Sequence, residues 1–293
     1  MIKKTKMVFF ILSLLLANLF FSCSYCQIPI DPFKSENQLV SDNPHTTIFV
    51  HGTLFFLSWL VRLFDCPLGL TPAHQAYGPC LGKIPHILNK SNPCMFPLNQ
   101  FYLWGWHGQL SFESRMSAAH KLYHSLRRLS GPKTIIGQSH GCNVILNLAQ
   151  IAKEHHDKNF LIDRLILLAG PVQEANAHLV TSPMFKKVFS LYSSADLLQI
   201  LDPQGLYSET RQFKNSTKFF SEKLFKPAPN LVQAEIVIMD KGPSHMDFLT
   251  EKFIKHLPDI IELLDNATQN PADYNNFNFK INIPLIGKPH FIP

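Results

Sequence analysis

The sequence predicts an α/β fold in which a mostly parallel β-sheet carries helices on both faces. Two observations carry the prediction. Apolar, often β-branched runs recur at Thr46 to Val50, Gln100 to Trp104, Lys133 to Ile136, Leu161 to Leu168, Val188 to Tyr192 and Glu235 to Met239. Stretches with helical periodicity separate several of them, and strands alternating with helices pack as a parallel sheet covered twice. The chain of 293 residues, 46% hydrophobic and 16% charged, is long enough for one sizeable core and globular in composition.

Taken in order, the first residues read as an export signal. Lys3, Lys4 and Lys6 precede an apolar run from Met7 to Phe21, short for a membrane-spanning helix, which needs roughly twenty residues. Residues 1–24 are therefore expected to direct export to the periplasm, the membrane surface or the medium. Cys23, in Phe20-Phe21-Ser22-Cys23, resembles a degenerate lipobox cysteine and is a candidate lipid anchor; the alternative is ordinary cleavage near Ser24. Residues 25–45 are polar and proline-punctuated, as a linker is.

The folded domain is expected over 46–265. Its first strand ends at His51-Gly52 and is followed by an apolar piece, Leu54 to Phe64, and a Pro- and Gly-rich, Cys-containing stretch. Residues 54–97 are read as an insertion or lid, since long loops inside compact domains are usually functional. Helices are expected at Phe112 to Leu129, with Met116, Ala119, Leu122, Tyr123 and Leu126 on one face, at His140 to about Glu154, and at Met246 to Leu264. The Asn- and Pro-rich tail, 266–293, is expected to wrap the surface.

Charge narrows the partners. The net charge is +6, but the basic residues are scattered and form no stripe suited to a phosphate backbone, so nucleic acid is excluded as a partner. Cysteine usage fits an oxidising compartment: Cys66, Cys80 and Cys94 cluster in one stretch, where one local bridge is expected and the pairing stays open. Cys66, Cys80, Cys94 and Cys142 contain no Cys-x-x-Cys pair, and no His-Glu-x-x-His or Gly-x-x-x-x-Gly-Lys pattern points to zinc or a nucleotide.

One motif carries chemistry. Gly137-Gln138-Ser139-His140-Gly141 stands where a buried strand meets a helix, the context a nucleophile elbow requires. A serine there projects above the sheet, glycines two positions to either side leave room for a tight turn, and the helix N-terminus favours a developing negative charge. A serine hydroxyl also needs a base, and the base needs an acid to orient it. Asp196 follows the strand Val188 to Tyr192, and His245 follows Glu235 to Met239, both just past strand ends on the edge that holds Ser139. Asp202 is the alternative acid. The two oxyanion donors are expected from the backbone N–H groups of His140 and of Thr53, beside His51 and Gly52.

With these residues in place, the chain resembles the α/β-hydrolase superfamily, and its lipase- and esterase-like members in particular. The resemblance rests on Phe49-Val50-His51-Gly52-Thr53, Gly137 to Gly141, Tyr192-Ser193-Ser194-Ala195-Asp196 and Gly242-Pro243-Ser244-His245, and spans about Thr46 to Leu264. It implies a Ser–Asp–His acyl hydrolase acting on a lipid or small ester, with neither metal nor cofactor. The same triad also serves acyltransferases and thioesterases, and a scaffold that has lost catalysis is a third reading. Between Leu168 and Asp196 there is no room for a large cap, which leaves residues 54–97 to cover the pocket.

Overall fold

The computed structural model of the chain describes residues 45–53, 67–76, 78, 80–201, 220–268 and 278–292. In chain order the elements are β1 (Thr46–Val50), β2 (Gly69–Pro72), α1 (Ile84–Ser91), β3 (Phe101–Gly105), α2 (Phe112–Leu126), β4 (Lys133–Gln138), α3 (His140–Glu154), β5 (Arg164–Leu168), β6 (Val188–Tyr192), β7 (Leu231–Ile238), α4 (Glu251–Ile254), α5 (Leu257–Ala267), β8 (Asn278–Ile283) and β9 (His290–Phe291). The strands form one nine-stranded sheet in the order β2-β3-β1-β4-β5-β6-β7-β8-β9. Every neighbouring pair from β3 to β8 is parallel, and β2 and β9 close the two edges antiparallel. The α/β class read from the sequence is therefore the class of the fold.

Strand alternation divides the core between two faces. Ile48, Val50, Ile135, Leu165, Leu167 and Val188 turn to one side and pack with Ala119, Leu122, Val144, Ile145 and Leu148 of α2 and α3. Phe49, Ile136, Ile166, Leu168, Phe189 and Leu191 turn to the other, against Ile84 and Leu88 of α1 and Leu257, Ile260, Ile261 and Leu264 of α5. All of these side chains are buried, each valine, leucine, isoleucine or phenylalanine contributing about 1.5–3 kcal/mol relative to an exposed one.

Four local differences from the sequence reading have physical causes. β7 begins at Leu231 rather than Glu235, because Gln233 is accommodated inside the sheet region: its amide accepts from the Phe225 N–H at 2.8 Å and donates to the Phe225 carbonyl at 3.1 Å. The closing helix is broken. A 3-10 turn, His245–Leu249, is fixed by Ser244 and Asp247, whose side chain accepts from the Ser244 N–H at 2.7 Å; Thr250 is extended, and Pro258 starts α5 afresh at its first turn. Within 67–97, Gly69–Pro72 is an edge strand, where a proline is tolerated, and α1 lies in the core with Ile84 and Leu88 buried. The tail supplies β8 rather than only a surface wrap: Ile281 and Ile283 are buried while Asn278, Lys280 and Asn282 alternate with them.

Candidate active site

The strand order itself marks a place for ligands. After β1 the chain crosses to β3 on one side, and after β4 it proceeds to β5 on the other, so the order reverses between β1 and β4. Crevices at such switch points, outside the carboxyl ends of the strands, are where open α/β sheets bind ligands. His51, Gly52 and Thr53 follow β1, and Ser139 follows β4, at that point.

Ser139 sits between β4 and α3 with φ 53° and ψ −131°, a conformation that costs a non-glycine residue about 1–3 kcal/mol. The surroundings hold it there. Its N–H donates to the Leu168 carbonyl at the end of β5 at 2.9 Å, and its carbonyl accepts from the Cys142 N–H at 3.0 Å. The flanking glycines are sterically required. A Cβ on Gly137 would lie 2.6 Å from Ile145 Cδ1, and one on Gly141 would strike the Val50 carbonyl oxygen. Cys142, in the first turn of α3, is buried, and burial pushes its thiol pKa up, so it stays an unreactive thiol.

Asp196 and His245 meet at the same edge. His245 Nδ1–H donates to Asp196 Oδ2 at 2.7 Å, while Asp196 Oδ1 accepts from the Gln199 N–H at 3.2 Å. Asp196 is 1% exposed and the His245 side chain 11%, so the pair is shielded from water on the acid side and reachable on the base side. Because Nδ1 carries the proton, Nε2 presents a lone pair. Lys223, which the sequence reading did not single out, fastens the acid-bearing turn by donating to the carbonyls of Ser193 and Ser194 at 2.7 and 2.6 Å. Burial lowers the pKa of Lys223, and the charges of Asp196 and Glu235 oppose that shift.

The loop after β1 is built around His51. Its Nε2 accepts from the Trp106 N–H at 3.2 Å, so Nδ1 carries the proton and donates to the Gly52 carbonyl at 2.7 Å. Trp106 Nε1–H donates to the His51 carbonyl at 2.7 Å, and the two rings stack at 5.9 Å. In a trans peptide the N–H opposes the carbonyl, so anchoring the Gly52 oxygen to His51 turns the Thr53 N–H away from His51. The Thr53 hydroxyl is buried and makes no hydrogen bond among the described residues. His140, the first residue of α3, is buried, and its Nδ1 accepts from the Asn143 amide at 3.2 Å.

Thus Ser139, His140 and Gly141 are brought beside His51, Gly52 and Thr53, and Asp196 is paired with His245. Cys23, Asp202, Cys66 and the apolar piece Leu54 to Phe64 lie outside the described residues. Cys80 and Cys94 are both exposed. The sequence assigns no role to Trp106, Gln138, Gln199 or Lys223, because each acts through a backbone group or a neighbour that only the fold supplies. No family model and no curated protein sequence matches the chain. Among solved structures it is similar to an esterase of Pyrobaculum calidifontis in a monoclinic form, at 9% identity and a TM-score of 0.30, over 83% of this chain and 68% of that one.

Proposed function

We propose that the protein is an exported serine hydrolase that cleaves carboxylic, lipid-type esters through an acyl-enzyme on Ser139. The observation that carries the reading is the Asp196–His245 hydrogen bond of 2.7 Å on the sheet edge where Ser139 stands in its strained turn. Ser139 Oγ attacks the ester carbonyl carbon and passes its proton to His245 Nε2. Asp196 holds the imidazole in the tautomer that can receive it and stabilises the imidazolium. The carbonyl oxygen takes up negative charge and is held by the N–H groups of Thr53 and His140, each commonly contributing a factor of about 10² to 10³ in rate. Collapse expels the alcohol, protonated by His245. Water, activated by the same base, then releases the acid and restores Ser139.

A lipid-type substrate is supported by the apolar side chains around this edge. Leu68, Leu197, Met239, Leu285 and Ile286 are all exposed and all lie beyond the carboxyl ends of the parallel strands or at the adjoining start of β2. Export rests on the signal-like residues 1–24, with Cys23 as the proposed tether to a membrane. The test is labelling with a fluorophosphonate probe, followed by mass spectrometry. An adduct on Ser139 that is lost in His245→Ala supports the reading; a folded protein that never labels removes it.

A further inference from the structure

The general base is already occupied. His245 Nε2, whose lone pair would receive the Ser139 proton, lies 3.3 Å from Gln138 Nε2, and it makes no hydrogen bond to Ser139 Oγ. The chemistry fixes which end of the amide faces the imidazole. Nδ1 donates to Asp196, so Nε2 is an acceptor, and an acceptor takes the NH₂ of Gln138 rather than its oxygen. The other end of the amide is also placed. A Cβ on Gly52 would lie 2.6 Å from Gln138 Oε1 and 2.6 Å from Ser139 Cβ. Gln138 is 4% exposed, so its amide is held between the loop after β1 and the base, out of bulk water.

We propose that Gln138 is a positioning residue that caps the general base in the resting enzyme and releases it when substrate arrives. Within the proposed hydrolase reading, on which this inference rests, the handover is balanced. The Gln138 N–H···Nε2 bond breaks, the Ser139 O–H···Nε2 bond forms, and the proton then moves from Oγ to Nε2 as Oγ bonds to the carbonyl carbon. Once Nε2 carries that proton it can no longer accept from the amide, so the cap cannot re-form until the proton leaves with the alcohol. Two donors compete for one lone pair, and the resting arrangement shows Gln138 holding it. The cap thereby suppresses reaction in the empty site and costs reactivity there.

The test compares Gln138→Leu and Gln138→Glu with the native protein, using the rate of fluorophosphonate labelling and the ¹⁵N resonance of His245 Nε2 in histidine-labelled samples. Gln138→Leu removes the donor and nearly keeps the volume; labelling is expected to rise about two- to tenfold, the range of one net hydrogen bond, and the Nε2 resonance to move downfield. Gln138→Glu puts a carboxylate against the lone pair, and labelling is expected to fall below native. If Gln138→Leu, folded as judged by its thermal transition, labels no faster and leaves the resonance unmoved, the cap is overturned. A packing role would slow both variants alike. Failure of the hydrolase reading looks different: no protein labels, yet the Nε2 resonance still moves in Gln138→Leu, and the contact stands without the chemistry.

Discussion

Gly242 lies against the turn that carries Asp196: a Cβ built on it would stand 2.7 Å from the Cβ of Ala195 and 2.9 Å from Ser193 Oγ. The loop bearing His245 and the turn bearing Asp196 are thus in direct contact one to three residues before the side chains that meet. Ser193 is itself committed, since its Oγ accepts from the Ala195 N–H at 3.2 Å. Gly242→Ala has nowhere to place its methyl without parting the two segments. The expected outcome is a fall in kcat of about a hundredfold, as for misplacements of about 1 Å, with secondary structure unchanged. Steady-state kinetics and circular dichroism together check it, and native kcat in this variant would show that the loops have slack.

The acid assignment makes a sharper contrast. Asp196 is buried and accepts both from His245 and from the Gln199 N–H, whereas Asp202 lies outside the described residues. Asp196→Asn keeps the size but favours the wrong imidazole tautomer, and a fall of about 10⁴ in kcat is expected, the scale measured for that change in another triad. Asp202→Asn is expected to stay within a few fold of native. Measured side by side on one ester, a larger loss at Asp202 would move the acid.

How much of this was legible beforehand depends on the range over which each residue acts. β1, α3 and β6 could be bounded from the sequence because their apolar residues lie within one continuous run, Thr46–Val50, His140–Glu154 and Val188–Tyr192. β8 was hidden: Phe279, Ile281 and Ile283 alternate correctly, but the asparagines around them gave the segment the composition of a loop. The first half of β7 is hard to read from sequence because it contains Gln233, whose polar amide is satisfied by the backbone of Phe225 eight residues away and by Asn278. At the site, Ser139, Asp196 and His245 could be singled out from local motifs and strand ends. The Gln138 contact could not, because it joins residues 107 positions apart.

His51 is expected to act on the oxyanion site rather than on stability. It anchors the Gly52 carbonyl through Nδ1–H and accepts from Trp106 through Nε2. His51→Leu removes both bonds and lets the Gly52–Thr53 peptide turn. Loss of one aligned oxyanion donor lowers kcat about 10²- to 10³-fold, and KM should change little because the ground-state carbonyl is held weakly. Trp106→Phe, which loses the indole donor to the His51 carbonyl, is expected to affect the same step more mildly. An unchanged kcat in His51→Leu, with KM raised instead, would place His51 in substrate binding.

The strain at Ser139 should be measurable as stability. Its φ of 53° with ψ −131° lies where glycine is at ease and other residues are not, at a cost of about 1–3 kcal/mol. Ser139→Gly removes that cost but gives back roughly 0.5–1 kcal/mol through the greater freedom of glycine in the unfolded chain. The net gain of about 1 kcal/mol corresponds to a rise in Tm of roughly 2–4 °C for a domain of this size. Ser139→Ala keeps the Cβ and therefore the strain, and its Tm is expected to match the native protein. Both variants lose the nucleophile, so neither labels nor turns over, and the difference between them isolates the backbone. Equal melting temperatures for the two would mean that the turn is relaxed, and that the sheet and α3 hold Ser139 in place without stored strain.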